Sequence, residues 1–239
     1  MATTEILFRD APYERGCDAT VVSADDTGIR LDRTVFYATS GGQPGDTGRL
    51  ILSDGTAIPI TGTIKGETLD DIIHVPADGI DLPVPGTPVT AEIDWERRYR
   101  HMRMHTCLHL LTAVIAAPIT GAQLGDEKGR IDFNLPEMNQ DKATIQQRLD
   151  ALIAADTPVE MRWITDDELA ARPELVKTMS IRPPAGAGHV RLIDIDGVDL
   201  QPCGGTHVAR TGEVGAVTVR KIESKGKQNR RISVVFADA

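Results

Sequence analysis

The sequence predicts an α+β protein, and three observations carry that prediction. First, residues 1–90 contain short alternating runs, such as Ala19–Val22, Ile29–Val35 and Gly48–Leu52. Turn signals separate them: Asp-Asp-Thr-Gly at 25–28, Ser-Asp-Gly at 53–55, Ala-Asp-Gly at 77–79 and Pro-Gly at 85–86. Short strands at such spacing predict a small antiparallel barrel or sandwich, with the proline-rich stretch 83–88 as its exit. Second, the apolar spacing changes at Asp94. Trp95, Tyr99, Met102, Thr106, His109 and Val114 recur at helical intervals until Pro118 ends the run. Third, strands and helices beyond this point mix without regular βαβ alternation, which predicts helices over an antiparallel sheet. Strands are expected at 130–135, 159–164, 189–195, 214–222 and 231–236. Helices are expected over 141–155 and, capped by Asp166, over a short stretch ending before Pro173. The expected domains are 1–90 and 91–239.

The 239-residue chain is 41% hydrophobic and carries a formal net charge of −9. No apolar run approaches the ~20 residues of a membrane span. The N-terminus has neither the basic start of a signal peptide nor an arginine-rich transit pattern. Cys17, Cys107 and Cys203 are too few and too scattered for a disulfide framework, so a reducing cytoplasm is expected. The negative charge argues against indiscriminate nucleic-acid binding. Two basic stretches stand out from the acidic remainder, 220–231 (RKIESKGKQNRR) and 95–103 (WERRYRHMR). Clusters of this kind point to a directed anion site. Arg97, Arg98, Arg100 and Arg103 crowd the start of the predicted helix, where the macrodipole is already positive, so an anionic partner is expected for them.

The most informative residues are two matching pairs, His105 and His109 in HTCLH and Cys203 and His207 in CGGTH. Imidazole and thiolate together are a ligand set suited to zinc. Residues four apart on a helix share a face, so His105 and His109 can present both rings to one point. Gly204 and Gly205 disfavour a helix for the second pair, and a tight turn is expected instead. Four of the chain's nine histidines and cysteines fall into these pairs, which points to one shared metal site. The glycine-rich segment SGGQPGDTG (40–48) has neither the Walker nor the Rossmann spacing and reads as a tight loop between strands.

FYATSGGQPGDTG (36–48), RMHTCLHLL (103–111), DLQPCGGTHVARTGEVG (199–215) and ESKGKQNRRI (223–232) occur in the order found in the editing domains of alanyl-tRNA synthetases. The chain resembles those domains, and more closely the free-standing AlaX trans-editing proteins, over nearly its whole length. The resemblance implies an N-terminal barrel like the second domain of elongation factors, and a C-terminal α+β editing domain. It implies hydrolysis of the ester of tRNA(Ala) mischarged with serine or glycine, with one zinc ion per chain held by His105, His109, Cys203 and His207.

Further roles follow from the resemblance. Gln123 is expected as a catalytic, substrate-contacting glutamine. The amides of Gly204, Gly205 and Thr206 are expected at a developing oxyanion. Thr106 is expected near the serine side chain, and Gly41, Gly42 and Gln43 along the path of the 3′ end. Lys225, Lys227, Arg230 and Arg231 are expected as phosphate contacts, with Arg98 and Arg103 as seconds. Four protein ligands describe a closed site, whereas a hydrolytic zinc keeps a position for water. One ligand could be weak, the ion could become five-coordinate, or zinc could only organise the site. Two rival classes remain: a structural-zinc RNA-binding module without hydrolysis, and a metal-dependent hydrolase acting on a small ester or amide.

Overall fold

The computed structural model describes residues 4–179 and 188–237. It forms two compact units, Met1–Ser40 with Pro44–Tyr99, and Gly41–Gln43 with Arg100–Ala239. In the first unit, β1 (Glu5–Ile6) runs parallel to a later short strand. A closed barrel is made by β2 (Gly16–Asp25), β3 (Gly28–Leu31), β5 (Gly48–Leu52), β6 (Ala57–Lys65), β7 (Ile72–Pro76) and β8 (Pro88–Ile93). The partner of β1 is β4 (Arg33–Thr34), and the barrel order is β2-β3-β7-β6-β5-β8. Alternate residues point inward, and Val21, Ile29, Leu50, Ile58, Ile60, Val89 and Ala91 fill the core with Phe36. Closure leaves no unpaired edge within the barrel. The proline-rich stretch expected as its exit leads instead into a further strand of the barrel, β8.

The segment 40–47 is the expected loop, and its second half is fixed by a buried ion pair. Asp46 is 1% exposed and Arg98 is not exposed at all. Arg98 Nε lies 3.0 Å from both Asp46 oxygens, and Nη2 donates to Asp46 and to the Val35 carbonyl. Asp46 also accepts from the Tyr37 amide at 2.6 Å. This corrects the expectation that Arg98 meets a phosphate, since its anion is internal. Arg97 likewise donates to the Gly45 carbonyl. Arg103 donates to the Val214 carbonyl and lies over the Phe236 ring.

Helix α1 (Trp95–Val114) has its residues up to Tyr99 in the first unit and the rest in the second, and it begins where Asp94 accepts from the Arg97 amide. From His101 to Thr112 most of its side chains are buried, on every face. A helix enclosed all round must satisfy its polar side chains internally. One sheet has the order β14-β15-β10-β9, built from β9 (Ile119–Leu124), β10 (Lys128–Asn134), β14 (Val217–Ser224) and β15 (Asn229–Phe236). A second has the order β11-β12-β13, from β11 (Val159–Thr165), β12 (His189–Ile195) and β13 (Asp199–Pro202). All pairings in both are antiparallel. The α2 helix (Lys142–Ala154) is capped by Asp141 and buries Ile145 and Leu149, and its Gln146 amide bridges the β14 backbone at Val217 and Val219.

The short α3 (Asp166–Ala170) departs from expectation in its cap. Thr165 accepts from the Glu168 amide while Glu168 returns to the Thr165 amide, so the capping box begins one residue before Asp166. Strands β9 and β13 were not anticipated. Among the described residues no helix is long and apolar enough to cross a membrane.

Two predictions follow. Asp46→Asn strands the buried Arg98 charge and should cost about 3–5 kcal/mol; an unchanged denaturant midpoint would refute the clasp. His74 is fully buried, with Nδ1 donating to the Ile29 carbonyl and Nε2 2.8 Å from the Thr34 hydroxyl. Burial lowers its pKa from 6.5 to about 4. Its stabilising neutral state is complete above pH 6.5 and is eroded as pH falls towards 4, because only the unfolded chain takes up the proton there. The loss should reach about 3 kcal/mol. It is checked by denaturant titration at several pH values, and His74→Gln should abolish that component.

Candidate metal centre

Two stripes of side chains meet here. On α1, His105, His109 and Thr112 recur at helical spacing and share a face. On β13 and its continuation, Asp199, Gln201 and Cys203 alternate onto one side. Cys203 extends the strand, its amide donating to the Arg191 carbonyl at 3.1 Å. The Arg191 side chain then grips the following turn, donating to the carbonyls of Cys203 and Gly205. That turn brings His207 back over the sulfur.

The ligand atoms of His105, His109, Cys203 and His207 all lie within 4.8 Å of one another. Cys203 Sγ is 3.5 Å from His105 Nε2 and 3.3 Å from His207 Nε2. A tetrahedron built with zinc bond lengths of 2.0–2.1 Å to nitrogen and 2.3 Å to sulfur has N···S edges of about 3.6 Å. The four groups therefore fit one zinc-sized ion, and no other such cluster occurs among the described residues.

Each ring is held by its outer nitrogen. His105 Nδ1 is 2.8 Å from Gln43 Oε1, His109 Nδ1 is 2.9 Å from Asp199 Oδ2, and His207 Nδ1 is 3.1 Å from Thr106 Oγ1. With Nδ1 engaged, Nε2 is the nitrogen left for the centre, the usual arrangement of metal-bound histidine. The electrostatics of Cys203 and His207 agree, whereas an ion taken by His109 would have to displace a proton. Burial alone would raise the Cys203 thiol, but the His105 and His207 rings outweigh it and bring the pKa well below 9.0, favouring a thiolate. Burial and the nearby His105 hold His207 down at about 3, so that ring is neutral. Burial also acts to lower His109, but Asp199 and Cys203 overcome it and raise the ring to about 9.

The two glycines of the turn differ. A Cβ on Gly205 would collide with the His105 ring and stand 2.8 Å from Gln43 Oε1, whereas one on Gly204 would meet nothing within 4 Å. Gly204 is exposed and Cys203 half-buried, so the centre is approached from this side.

Several residues sit where the sequence reading did not put them. Gln43 is fully buried, accepting from His105 and from the Thr206 amide while donating to the Thr206 hydroxyl. It braces the ligands and does not line a path. Thr106 is equally buried, and its hydroxyl oxygen meets His207 Nδ1 and accepts from the Val208 amide, so it also holds a ring of the cluster. Of the three amides expected at an oxyanion, Gly205 donates to Cys203 Sγ and Thr206 to Gln43, which leaves Gly204. Gly42, at φ +83°, packs against the Ala122 carbonyl, and its own carbonyl accepts from Leu124; Gly41 is exposed at φ +55°.

Gln123 lies on β9 with its exposed amide held by Arg130 at 2.8 and 3.2 Å, and it makes no hydrogen bond to the four ligands. In the β14–β15 hairpin Arg231 pairs with Asp132 and Arg230 turns to the Pro136 carbonyl, while Lys225 and Lys227 are exposed at the turn. Asp199 was missed altogether, although its place four residues before Cys203, in strand alternation with it, is the signal that marks it.

Residues 190–233 match the second additional domain of threonyl and alanyl tRNA synthetases, and residues 5–97 match class II (A) tRNA synthetases. The alanyl-tRNA editing protein AlaX-M of Methanosarcina acetivorans is 36% identical, the alignment covering 98% of this chain and all of that protein. The AlaX-M protein of Methanosarcina barkeri is 39% identical with the same coverage. The alanine–tRNA ligase of Pyrobaculum arsenaticum is 35% identical over 92% of this chain but only 25% of its own length. The chain belongs to the AlaX family of alanyl-tRNA editing proteins.

Gly205→Ala should displace His105 and lower divalent-metal content at least tenfold, whereas Gly204→Ala should keep it. Elemental analysis of both folded variants after dialysis against zinc checks this. Equal retention would contradict the packing described.

Proposed function

We propose that this protein is a zinc-dependent trans-editing deacylase, hydrolysing the ester that joins serine or glycine to the terminal adenosine of tRNA(Ala). The observation that carries the reading is the four-donor centre, approached at Cys203 and Gly204, in a chain similar over its full length to alanyl-tRNA editing proteins. Serine adds one hydroxyl to alanine and glycine lacks one methyl, differences too small for a synthetic pocket to reject strongly. A second hydrolytic site supplies the missing discrimination.

In this reading residues from 91 onward form the deacylase domain, and His105, His109, Cys203 and His207 hold the ion. A bound zinc ion would supply polarisation of the ester carbonyl and a water of lowered pKa. The chain's own residues do the remaining work. Gln43, Asp199 and Thr106 fix the three rings, and Arg191 fixes the turn that carries Cys203. The Gly204 amide is the donor available to a developing oxyanion, since its neighbours are engaged. Lys225 and Lys227 are the phosphate contacts favoured by exposure. Lys227 has no acidic partner among the described residues, whereas Arg230 and Arg231 are turned inward.

The test is deacylation of Ser-tRNA(Ala), Gly-tRNA(Ala) and Ala-tRNA(Ala) by the wild type and by Cys203→Ala. Wild type should cleave the seryl or glycyl ester at least a hundredfold faster than the alanyl ester, and Cys203→Ala should lose that activity. Lys225→Glu with Lys227→Glu should raise KM tenfold or more with little change in kcat. No cleavage by folded, zinc-loaded wild type would leave a structural-zinc RNA-binding module as the better reading. Unchanged turnover after the charge reversal would favour a small-molecule substrate.

A further inference from the structure

The three ring partners differ in charge. Gln43 and Thr106 offer a neutral amide oxygen and a hydroxyl, whereas Asp199 offers a carboxylate that is only 4% exposed. A buried carboxylate is costly unless donors surround it. Here they come from three parts of the chain. His109 Nδ1 lies 2.9 Å from Oδ2, and Gln201 Nε2 donates to the same oxygen at 2.7 Å. Lys177 Nζ makes an ion pair with Oδ1, and Thr112 Oγ1 stands 3.3 Å from it. Lys177 is joined to the sheet beside it, its carbonyl accepting from the Ile119 amide at 2.8 Å.

On the metal reading above, we propose that Asp199 is the positioning residue of the centre, charge-balanced by Lys177 and committing His109 Nε2 to the ion. A carboxylate only accepts, so the His109 nitrogen facing it must carry a proton, which leaves Nε2 as the nitrogen a metal can take in exchange for its own proton. A negative partner also makes the ring a stronger donor than an amide or hydroxyl partner would. Asparagine at 199 could present either its oxygen or its amino group to Nδ1, and the tautomer would no longer be imposed. The asymmetry makes His109 the anchor ligand among the three histidines.

The experiment is a zinc competition titration of the full-length protein against a chromophoric chelator, with the visible absorption of the cobalt-substituted protein as a second readout. Wild type, Asp199→Asn, Lys177→Met and the double variant are compared. Asp199→Asn should weaken zinc binding tenfold to a hundredfold at unchanged stoichiometry and alter the cobalt bands. Lys177→Met removes the balancing charge but keeps the His109–Asp199 bond, so it should keep the stoichiometry and the cobalt bands while its affinity shifts less than that of Asp199→Asn.

The double variant removes both charges of the ion pair, which guards against a mere folding defect, and it should bind as weakly as Asp199→Asn. Asp199→Asn and the double variant both within twofold of wild type would overturn the assignment while leaving the metal reading intact. A folded wild type that takes up no zinc would remove both together.

Discussion

An imidazole ring has two nitrogens, and holding one of them fixes which nitrogen, and in what direction, the ring offers to a metal centre. In this protein His105, His109 and His207 are each held at Nδ1 by a residue 62, 90 or 101 positions away in the chain. The three Nε2 atoms are thereby turned towards the Cys203 sulfur. Without the outer bonds, the rings could rotate or exchange tautomers, and four correctly spaced residues would not make a site. The second unit is arranged to supply those bonds.

That requirement explains features that look unfavourable in isolation. Helix α1 buries polar groups on the faces where an ordinary surface helix would show them to water. Each buried polar group carries a desolvation cost, offset only by a partner. His109 finds Asp199 on β13, Thr106 finds His207 in the turn, and His105 finds Gln43. The turn in its turn depends on Arg191, and its close approach to His105 depends on a residue without a Cβ at 205. In the first unit the same rule governs Arg98 and Asp46, a fully buried pair whose charges answer each other.

The sequence disclosed the four candidate donors and concealed what holds them. HTCLH and CGGTH are legible because their spacing alone puts paired donors together, one by helix geometry and one by a glycine turn. The alternating strands, α1 and the Asp141 start of α2 are legible for the same local reason. Gln43 and Thr106 are different, because partners 62 and 101 positions away leave no signature in spacing, and the alternation of Asp199 with Cys203 is legible only once β13 is recognised as a strand. Gln43 and Thr106 read as substrate-side residues in the sequence, and their oxygens turn out to hold His105 and His207. The arginines of α1 misled similarly, since charge alone does not distinguish an external phosphate from an internal carboxylate or carbonyl. Strands β9 and β13 escaped notice because ITGAQL lacks strict alternation and DLQP is only four residues long.

Three Nε2 atoms and one thiolate converge as the donor set of a single mononuclear centre. X-ray absorption at the zinc edge, on protein loaded with one equivalent of zinc, tests it most directly. The spectrum should show nitrogen scatterers at about 2.0–2.1 Å, with imidazole outer-shell features, and one sulfur at about 2.3 Å. A shell of oxygen and nitrogen alone, with no sulfur, would contradict it.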